Sequence, residues 1–354
     1  MPSIVIAAGG TAGHVVPSLA VADALRARGA DVSFIGGDRV ETELVPAAGY
    51  ELAQIKVRGV SRSNPLKAVT ALALALRAVV RAFRLLGRQR PDAVLGGGGY
   101  VAGVVGFAAV LRGIPLVLTE ADSHLGVSNR LLARRARRVC LAFALPGRDA
   151  PTYLVTGRPV TAPDATRAAG RSQFGIDDDE RCVLVFGGSL GARSLNTAAV
   201  AAFADAPFRV IHACGRRDYD DLRDKVQRPG YDLRAYISPF GPALAAADLV
   251  VARAGGSVFE VAAYGLPAIL VPYPHASADH QTSNAAHFAD AGAAIVVTDA
   301  ELDGGRLRAA VDALLADPER LRSMAAASAS LARPDAAEAV ASEVLTAAGE
   351  DADR

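Results

Sequence analysis

Two stretches of this sequence set glycines beside groups that can move a proton or hold an anion. The first reads Gly9-Gly10-Thr11-Ala12-Gly13-His14, the second Gly187-Gly188-Ser189-Leu190-Gly191. Each follows an aliphatic run and precedes an alanine-rich segment, so each reads as strand, glycine loop, helix. Such a junction leaves backbone N–H groups unpaired at the positive end of the helix dipole, a setting that suits phosphate. Glycines that merely let a strand and a helix pack closely would give the same pattern, so each loop is weak evidence alone. His14 stands where the first helix should open, and imidazole titrates near neutrality, which fits a general base; a polar or capping histidine is the plainer alternative.

Further candidates follow later strands. Gly96 to Gly99 are four consecutive glycines, with Tyr100 and Gly103 behind them, and Glu120-Ala121-Asp122 closes the next apolar run. Carboxylates there could orient a base, bind a sugar hydroxyl or cap the following helix. Arg253, Gly255, Gly256, Ser257 and Glu260 form another strand-to-helix junction, where Glu260 could accept hydrogen bonds from ribose hydroxyls or stabilise the helix N-terminus. Asp279, His280, Gln281 and Asn284 lie just beyond. Their spacing lacks the i, i+4 histidine pair of zinc helices, so no metal is expected. Neither loop spells the dinucleotide fingerprint and no G-K-[ST] follows, which counts against a dehydrogenase and a P-loop enzyme.

The elements that must position these residues repeat. Apolar runs at 3–8, 31–35, 93–95, 116–119 and 138–142, then at 182–186, 209–213, 249–252, 268–272 and 294–298, alternate with helical segments. Buried strands separated by helices predict parallel sheets covered on both faces, an α/β chain of two doubly wound, Rossmann-like domains. The expected division is 1–160, 161–333 and a helix and tail at 334–354 that could return to the first domain. With 354 residues and 51% hydrophobic residues, both domains can bury a core. Three cysteines with no C-x-x-C pair suggest a reducing compartment rather than a disulfide framework.

Charge is uneven. Residues 1–150 carry 19 basic against 10 acidic side chains, the remainder 19 against 27. A basic half attracts anionic lipid, nucleic acid or phosphorylated ligands, or simply complements an acidic one. The sequence runs from Met1 into the apolar segment with no secretory signal expected, and the longest apolar candidate, 68–76, is too short to span a bilayer. Within 67–90, leucines and valines alternate with Arg77, Arg81, Arg84 and Arg88, a pattern that fits either a helix lying on an anionic membrane or an ordinary outer helix.

Taken in order, the loop ending at His14 with Pro17, the glycines of 97–103, Glu120 to Asp122 with Asn129, the 187–192 loop, and Glu260 with Gly265-Leu266-Pro267, Asp279-His280-Gln281 and Asn284-Ala285 resemble the MurG family of bacterial peptidoglycan glycosyltransferases. The resemblance spans about 4–294. It implies a GT-B fold whose two domains face across a cleft, with the acceptor on the first and UDP-N-acetylglucosamine mainly on the second. It implies inverting transfer of N-acetylglucosamine to the C4 hydroxyl of the muramoyl sugar of polyprenyl-pyrophosphate-linked lipid I, giving lipid II, at the cytoplasmic face of the cell membrane. No metal, cofactor or nucleic acid is implied.

By position, His14 would be the base, oriented by Glu120 or Asp122. Thr11, Ala12, Gly13 and Asp122 would meet the donor-sugar side, and Gly188, Ser189, Leu190 and Gly191 the diphosphate. Ile237, Gly255, Gly256 and Ser257 would approach uracil and phosphates, Glu260 the ribose, and His280 and Gln281 the sugar. The sequence departs from the family where Ala121-Asp122 replaces Gln-Asn and where Arg158-Pro159-Val160-Thr161 replaces Asn-Pro-Val-Arg, leaving Arg158 as a substitute cation. Another GT-B enzyme acting on a lipid or natural-product acceptor, or a nucleotide-sugar-binding protein without catalysis, stays open on the sequence alone.

Overall fold

Short aliphatic runs between glycines become parallel strands, and the computed structural model describes them over residues 1–56, 65–188, 191–276 and 279–349. Side chains of 65–73 and 75 also lie outside the description. Two units emerge, Met1–Thr161 with the C-terminal stretch from Arg333, and Ala162–Ala332.

Unit 1 alternates β1 (Ser3–Ala7), α1 (Ala12–Ala27), β2 (Asp31–Gly36), α2 (Glu41–Ala47), β3 (Glu51–Gln54), α3 (Pro65–Gln89), β4 (Ala93–Gly96), α4 (Gly99–Arg112), β5 (Leu116–Glu120), α5 (Val127–Leu132), β6 (Arg138–Leu141) and β7 (Tyr153–Val155). Its sheet runs β3-β2-β1-β4-β5-β6-β7, parallel throughout, with Ile6 in register with Phe34 and Leu95. Successive residues of one strand enter different cores. Ile4, Ile6, Phe34 and Leu95 pack with helix α1, while Val5, Ile35, Val94 and Leu118 pack with α3 and α4. Burial on both faces is why these strands read as unbroken apolar runs.

Unit 2 carries α6 (Arg167–Phe174), β8 (Cys182–Phe186), α7 (Arg193–Ala202), β9 (Arg209–Ala213), α8 (Tyr219–Arg223), β10 (Tyr231–Arg234), α9 (Gly241–Ala246), β11 (Leu249–Ala252), α10 (Val258–Ala263), β12 (Ala268–Leu270), α11 (His280–Asp290), β13 (Ala294–Val296), α12 (Gly304–Leu315) and α13 (Pro318–Leu331). The parallel sheet is ordered β10-β9-β8-β11-β12-β13. After it, α14 (Ala336–Ala347) belongs to unit 1, where Val340, Ala341, Val344 and Leu345 join the core of β1 and α1.

Three strands lack the apolar run expected of a strand. β3 and β7 are the edges of the first sheet and β10 is an edge of the second. Their sequences, Glu51-Leu52-Ala53-Gln54, Tyr153-Leu154-Val155 and Tyr231-Asp232-Leu233-Arg234, are short or polar because an edge meets solvent on one side. In both sheets the order reverses once, between β1 and β4 and between β8 and β11. At such a point the loops leaving the carboxyl ends of the two strands diverge to opposite faces and open a crevice, the usual ligand site of open α/β sheets.

Candidate active site

Each glycine loop lies at the switch point of its unit. In unit 1 the loop after β1 meets the loop after β4, so that a methyl added at Gly99 would stand 2.7 Å from the Gly9 carbonyl oxygen. Gly98, at φ +102°, forms the wall against which the His14 ring rests: a methyl there would fall 2.5 Å from Nδ1 and 3.0 Å from Cε1. A methyl at Gly97 would run into Ser18 Oγ. Gly97 and Gly98 are therefore bare because Ser18 and the imidazole occupy the space that their side chains would need, while Leu118 fills that of Gly96 and the Gly9 carbonyl that of Gly99. His14 itself is half-buried in the first turn of α1, whose N-cap is Thr11 in extended conformation, and its amide donates to the Thr11 carbonyl at 3.1 Å.

Pro17 sets the next contact. It lies inside α1 and, lacking an N–H, cannot donate to the Gly13 carbonyl four residues earlier. Arg158 supplies the missing donor: its Nη2 reaches the Gly13 oxygen at 2.5 Å, and Arg158 is only 7% exposed. The cation expected to replace the displaced family arginine thus sits on the loop that carries His14. On the other side of the loop, the Gly10 amide donates to Glu41 Oε2 at 2.9 Å. Sequence reasoning passed over Glu41; the signal it could have used is Gly36-Gly37 at the end of β2 with an acid four residues on.

Glu120, at the carboxyl end of β5, organises its own loop. Oε2 accepts from the Gly126 amide at 2.8 Å and from Asn129 Nδ2 at 2.9 Å, and Oε1 from the Asp122 amide at 3.3 Å. Burial pushes its carboxyl up, and those three hydrogen bonds offset this only in part. Asn129 is buried and donates also to the Thr119 carbonyl, which ties α5 to β5. The cap position of α5 is Gly126, so Asp122 is not its cap.

In unit 2, a methyl at Gly187 would collide with Ala192, and one at Gly191 with the Cys214 carbonyl. Gly188 and Gly191 both have positive φ, and the Gly191 amide donates to the Gly188 carbonyl at 2.9 Å. Ser189 and Leu190 lie outside the described residues. Behind the loop runs a buried polar chain. Asn196 Nδ2 donates to the Cys214 carbonyl at 2.7 Å and to Asp218 Oδ2 at 2.9 Å, and its Oδ1 pairs with His212 Nε2 at 3.1 Å. His212 Nδ1 meets the Tyr231 hydroxyl at 2.8 Å. Burial lowers His212 to about 3, so it is neutral; Nε2–H donates to Asn196 and Nδ1 accepts from Tyr231. Burial pushes the Asp218 carboxyl up, yet hydrogen bonds from Arg217, Arg193 and Asn196 outweigh this and hold it below the ordinary range. Asp218 thereby anchors Arg193, the first residue of α7, at 2.9 Å.

Across the switch point, Arg253 is buried at the end of β11, donates to the Val271 and Pro272 carbonyls at 3.1 Å and pairs with Asp299 at 2.7 Å. It fixes the β11 loop rather than facing a ligand. Gly255 lies beside Gln281, whose Nε2 would be 3.7 Å from a methyl added there and whose Oε1 accepts from the Tyr273 amide at 2.9 Å. Gly256 and Ser257 are half-buried in the same loop and Glu260 follows in the first turn of α10. His280 opens α11, and Asn284 is fully buried, donating to the Ala254 carbonyl at 3.1 Å. Ile237 is buried, so what it can offer a base is its backbone. No three His, Cys, Asp or Glu side chains converge among the described residues.

Residues 4–141 match the glycosyltransferase family 28 N-terminal domain and residues 182–340 the C-terminal domain of that family. A protein of Moorella thermoacetica named UDP-N-acetylglucosamine–N-acetylmuramyl-(pentapeptide) pyrophosphoryl-undecaprenol N-acetylglucosamine transferase is 44% identical, covering 97% of this chain and 98% of its own. A protein of the same name from Salinibacter ruber is 40% identical over 98% and 97%. Among solved structures, MurG of Acinetobacter baumannii aligns with a TM-score of 0.76 at 31% identity, covering 97% of this chain and 99% of that one. A calicheamicin glycosyltransferase aligns with a TM-score of 0.71 at 21% identity, a likeness of fold alone.

Proposed function

The chain belongs to glycosyltransferase family 28, and from that premise we infer that it is the inverting GT-B enzyme that moves N-acetylglucosamine from UDP to the muramoyl sugar of polyprenyl-pyrophosphate-linked lipid I, forming lipid II for peptidoglycan. Near-full-length identity to transferases of that name supports the substrates. The observation that carries the chemistry is His14 resting against the glycine wall at the switch point of unit 1.

The acceptor's C4 hydroxyl is a poor nucleophile until its proton is removed. In our reading His14 takes that proton as the oxygen attacks the anomeric carbon from the face opposite UDP, so the C–O bond to UDP breaks as the new one forms and configuration inverts. Charge then develops on the departing diphosphate. The N-terminus of α7, with its glycine loop and with Arg193 anchored by Asp218, supplies N–H dipoles and a cation suited to that charge. Glu260, Gln281, His280 and the 255–257 loop would hold nucleoside and sugar, and Thr11 to Gly13 with Asp122 the donor-sugar side. Unit 1 would take the acceptor and unit 2 the donor.

The acceptor's lipid calls for a membrane, and among the described residues no helix is long and apolar enough to cross one. Helices α3, α4 and α5 pack in sequence and expose Leu76, Val80, Phe107, Leu111 and Leu131, the last 76% exposed, beside Arg77, Arg81, Arg84, Arg130 and Arg134. Apolar side chains among arginines suit peripheral binding to an anionic leaflet, which in a cell is the cytoplasmic one.

The deciding experiment follows UDP release from UDP-N-acetylglucosamine with and without a soluble lipid I analogue, UDP-glucose and UDP-N-acetylgalactosamine being alternative donors. Acceptor-dependent release selective for the N-acetylglucosamine donor is expected, with a loss of kcat in His14→Ala. Binding without turnover would overturn the reading.

A further inference from the structure

Glu41 is fully buried, a rare condition for a carboxylate that has no cationic partner among the described residues. Its two oxygens are used separately. Oε2 accepts from the Gly10 amide at 2.9 Å and Oε1 from the Gly37 amide at 2.8 Å. One side chain thus joins the glycine loop after β1 to the end of β2. The surrounding sequence is cleared for it: a methyl at Gly9 would stand 2.7 Å from Oε1, one at Gly37 2.6 Å from Oε1, and one at Gly36 2.9 Å from Cγ. Three glycines on two strand ends therefore accommodate a single acid.

An N–H of the glycine loop that leads into a helix in a doubly wound sheet ordinarily serves a ligand phosphate. In unit 1 the Gly10 amide instead donates to an anion belonging to the protein, which fixes the loop before any ligand arrives. Arg158 fixes the same loop from the other side through Gly13. Between these two contacts stands the short segment that delivers His14.

We propose that Glu41 is a positioning residue for the transfer reaction, acting through the 10–14 loop to hold the His14 imidazole in reach of the acceptor hydroxyl. The proposal rests on the reading of His14 as general base. Glutamine at position 41 keeps the shape but has one acceptor where the glutamate has two, so either the Gly10 or the Gly37 amide loses its partner. A small displacement of a reacting group costs on the order of tenfold to a hundredfold in rate.

The test measures acceptor-dependent UDP release for wild type, Glu41→Gln, His14→Ala and the double variant, with thermal unfolding of each alongside. Glu41→Gln should lower kcat roughly 10- to 100-fold with the donor KM within about twofold, and should add nothing in the His14→Ala background. Glu41→Asp, which keeps the charge but withdraws it by one methylene, should lose activity too, and it serves if the glutamine variant does not fold. Wild-type kcat in Glu41→Gln, a loss that multiplies with that of His14→Ala, or a loss that tracks only the folded fraction would each overturn the proposal. Absence of turnover in wild type would instead overturn the transferase reading, and an undiminished His14→Ala the assignment of the base.

Discussion

Alanine at Gly98 probes the wall behind the proposed base. The position has φ +102°, so any Cβ costs about 1–2 kcal/mol of backbone strain. The added methyl would lie 2.5 Å from His14 Nδ1, whereas ordinary contact is about 3.5 Å, so the ring must retreat by about 1 Å. A misplacement of that size in a reacting group costs on the order of 100-fold, or ~2.7 kcal/mol of barrier. Strain alone is separated by Gly113→Ala at the end of α4. Gly113 has φ +70°, and no atom lies within 4 Å of where its methyl would stand. Gly98, with ψ 172°, lies in a region that only glycine populates and gains the clash with the His14 ring, whereas Gly113, with ψ 17°, is ordinary left-handed helix. Gly98→Ala should therefore lose more stability than Gly113→Ala in urea titrations, and only Gly98→Ala should lose kcat of the folded fraction in the UDP-release assay. Equal kcat values in the two variants would refute the reasoning, since the glycine wall would then have no part in holding the base.

Other regions yield sharper readouts of their own. Gly191→Ala, which drives a methyl into the Cys214 carbonyl, should raise the KM for UDP-N-acetylglucosamine several-fold and leave that for the acceptor analogue nearly unchanged in initial-rate kinetics. His212 binds its proton in the unfolded chain with a pKa near 6.5 but in the folded one only near 3, so its contribution is intact above pH 6.5 and declines as the pH falls below it. By pH 5 the loss is about 2 kcal/mol at ~1.4 kcal/mol per pH unit, and the stability difference between wild type and His212→Gln, followed by denaturation at pH 5 and pH 8, should narrow accordingly. Leu131→Asp should reduce cosedimentation with vesicles containing anionic lipid without altering kcat on a soluble acceptor analogue.

The sequence displayed the interior strands because burial on both faces imposes unbroken aliphatic runs, as in Ile4-Val5-Ile6 and Val183-Leu184-Val185. It concealed β3, β7 and β10, whose edge positions relax that demand. The glycine loops were legible as loops, since glycine is the residue that admits positive φ and close approach. What they enclose was less so. That Gly98 is bare for the His14 ring, and Gly9, Gly36 and Gly37 for Glu41, depends on which strand ends are neighbours. That is a matter of strand order, which no local spacing carries. Arg158 shows the same limit. Its partner is the Gly13 carbonyl, 145 residues away, left without a helical donor by Pro17.

Helix α14 gives unit 1 a dependence on the order of synthesis. Its buried face, with Val340 and Val344, packs against α1, the helix that opens with His14, and against β4 and β5, yet all of unit 2 is translated between β7 and that helix. At ~5–20 residues per second, the nascent first sheet waits roughly 10–30 s on the ribosome with part of its apolar surface uncovered. Unit 2, continuous in the chain, has no such interval. The order of translation therefore leaves the half read as taking the acceptor as the last to become complete.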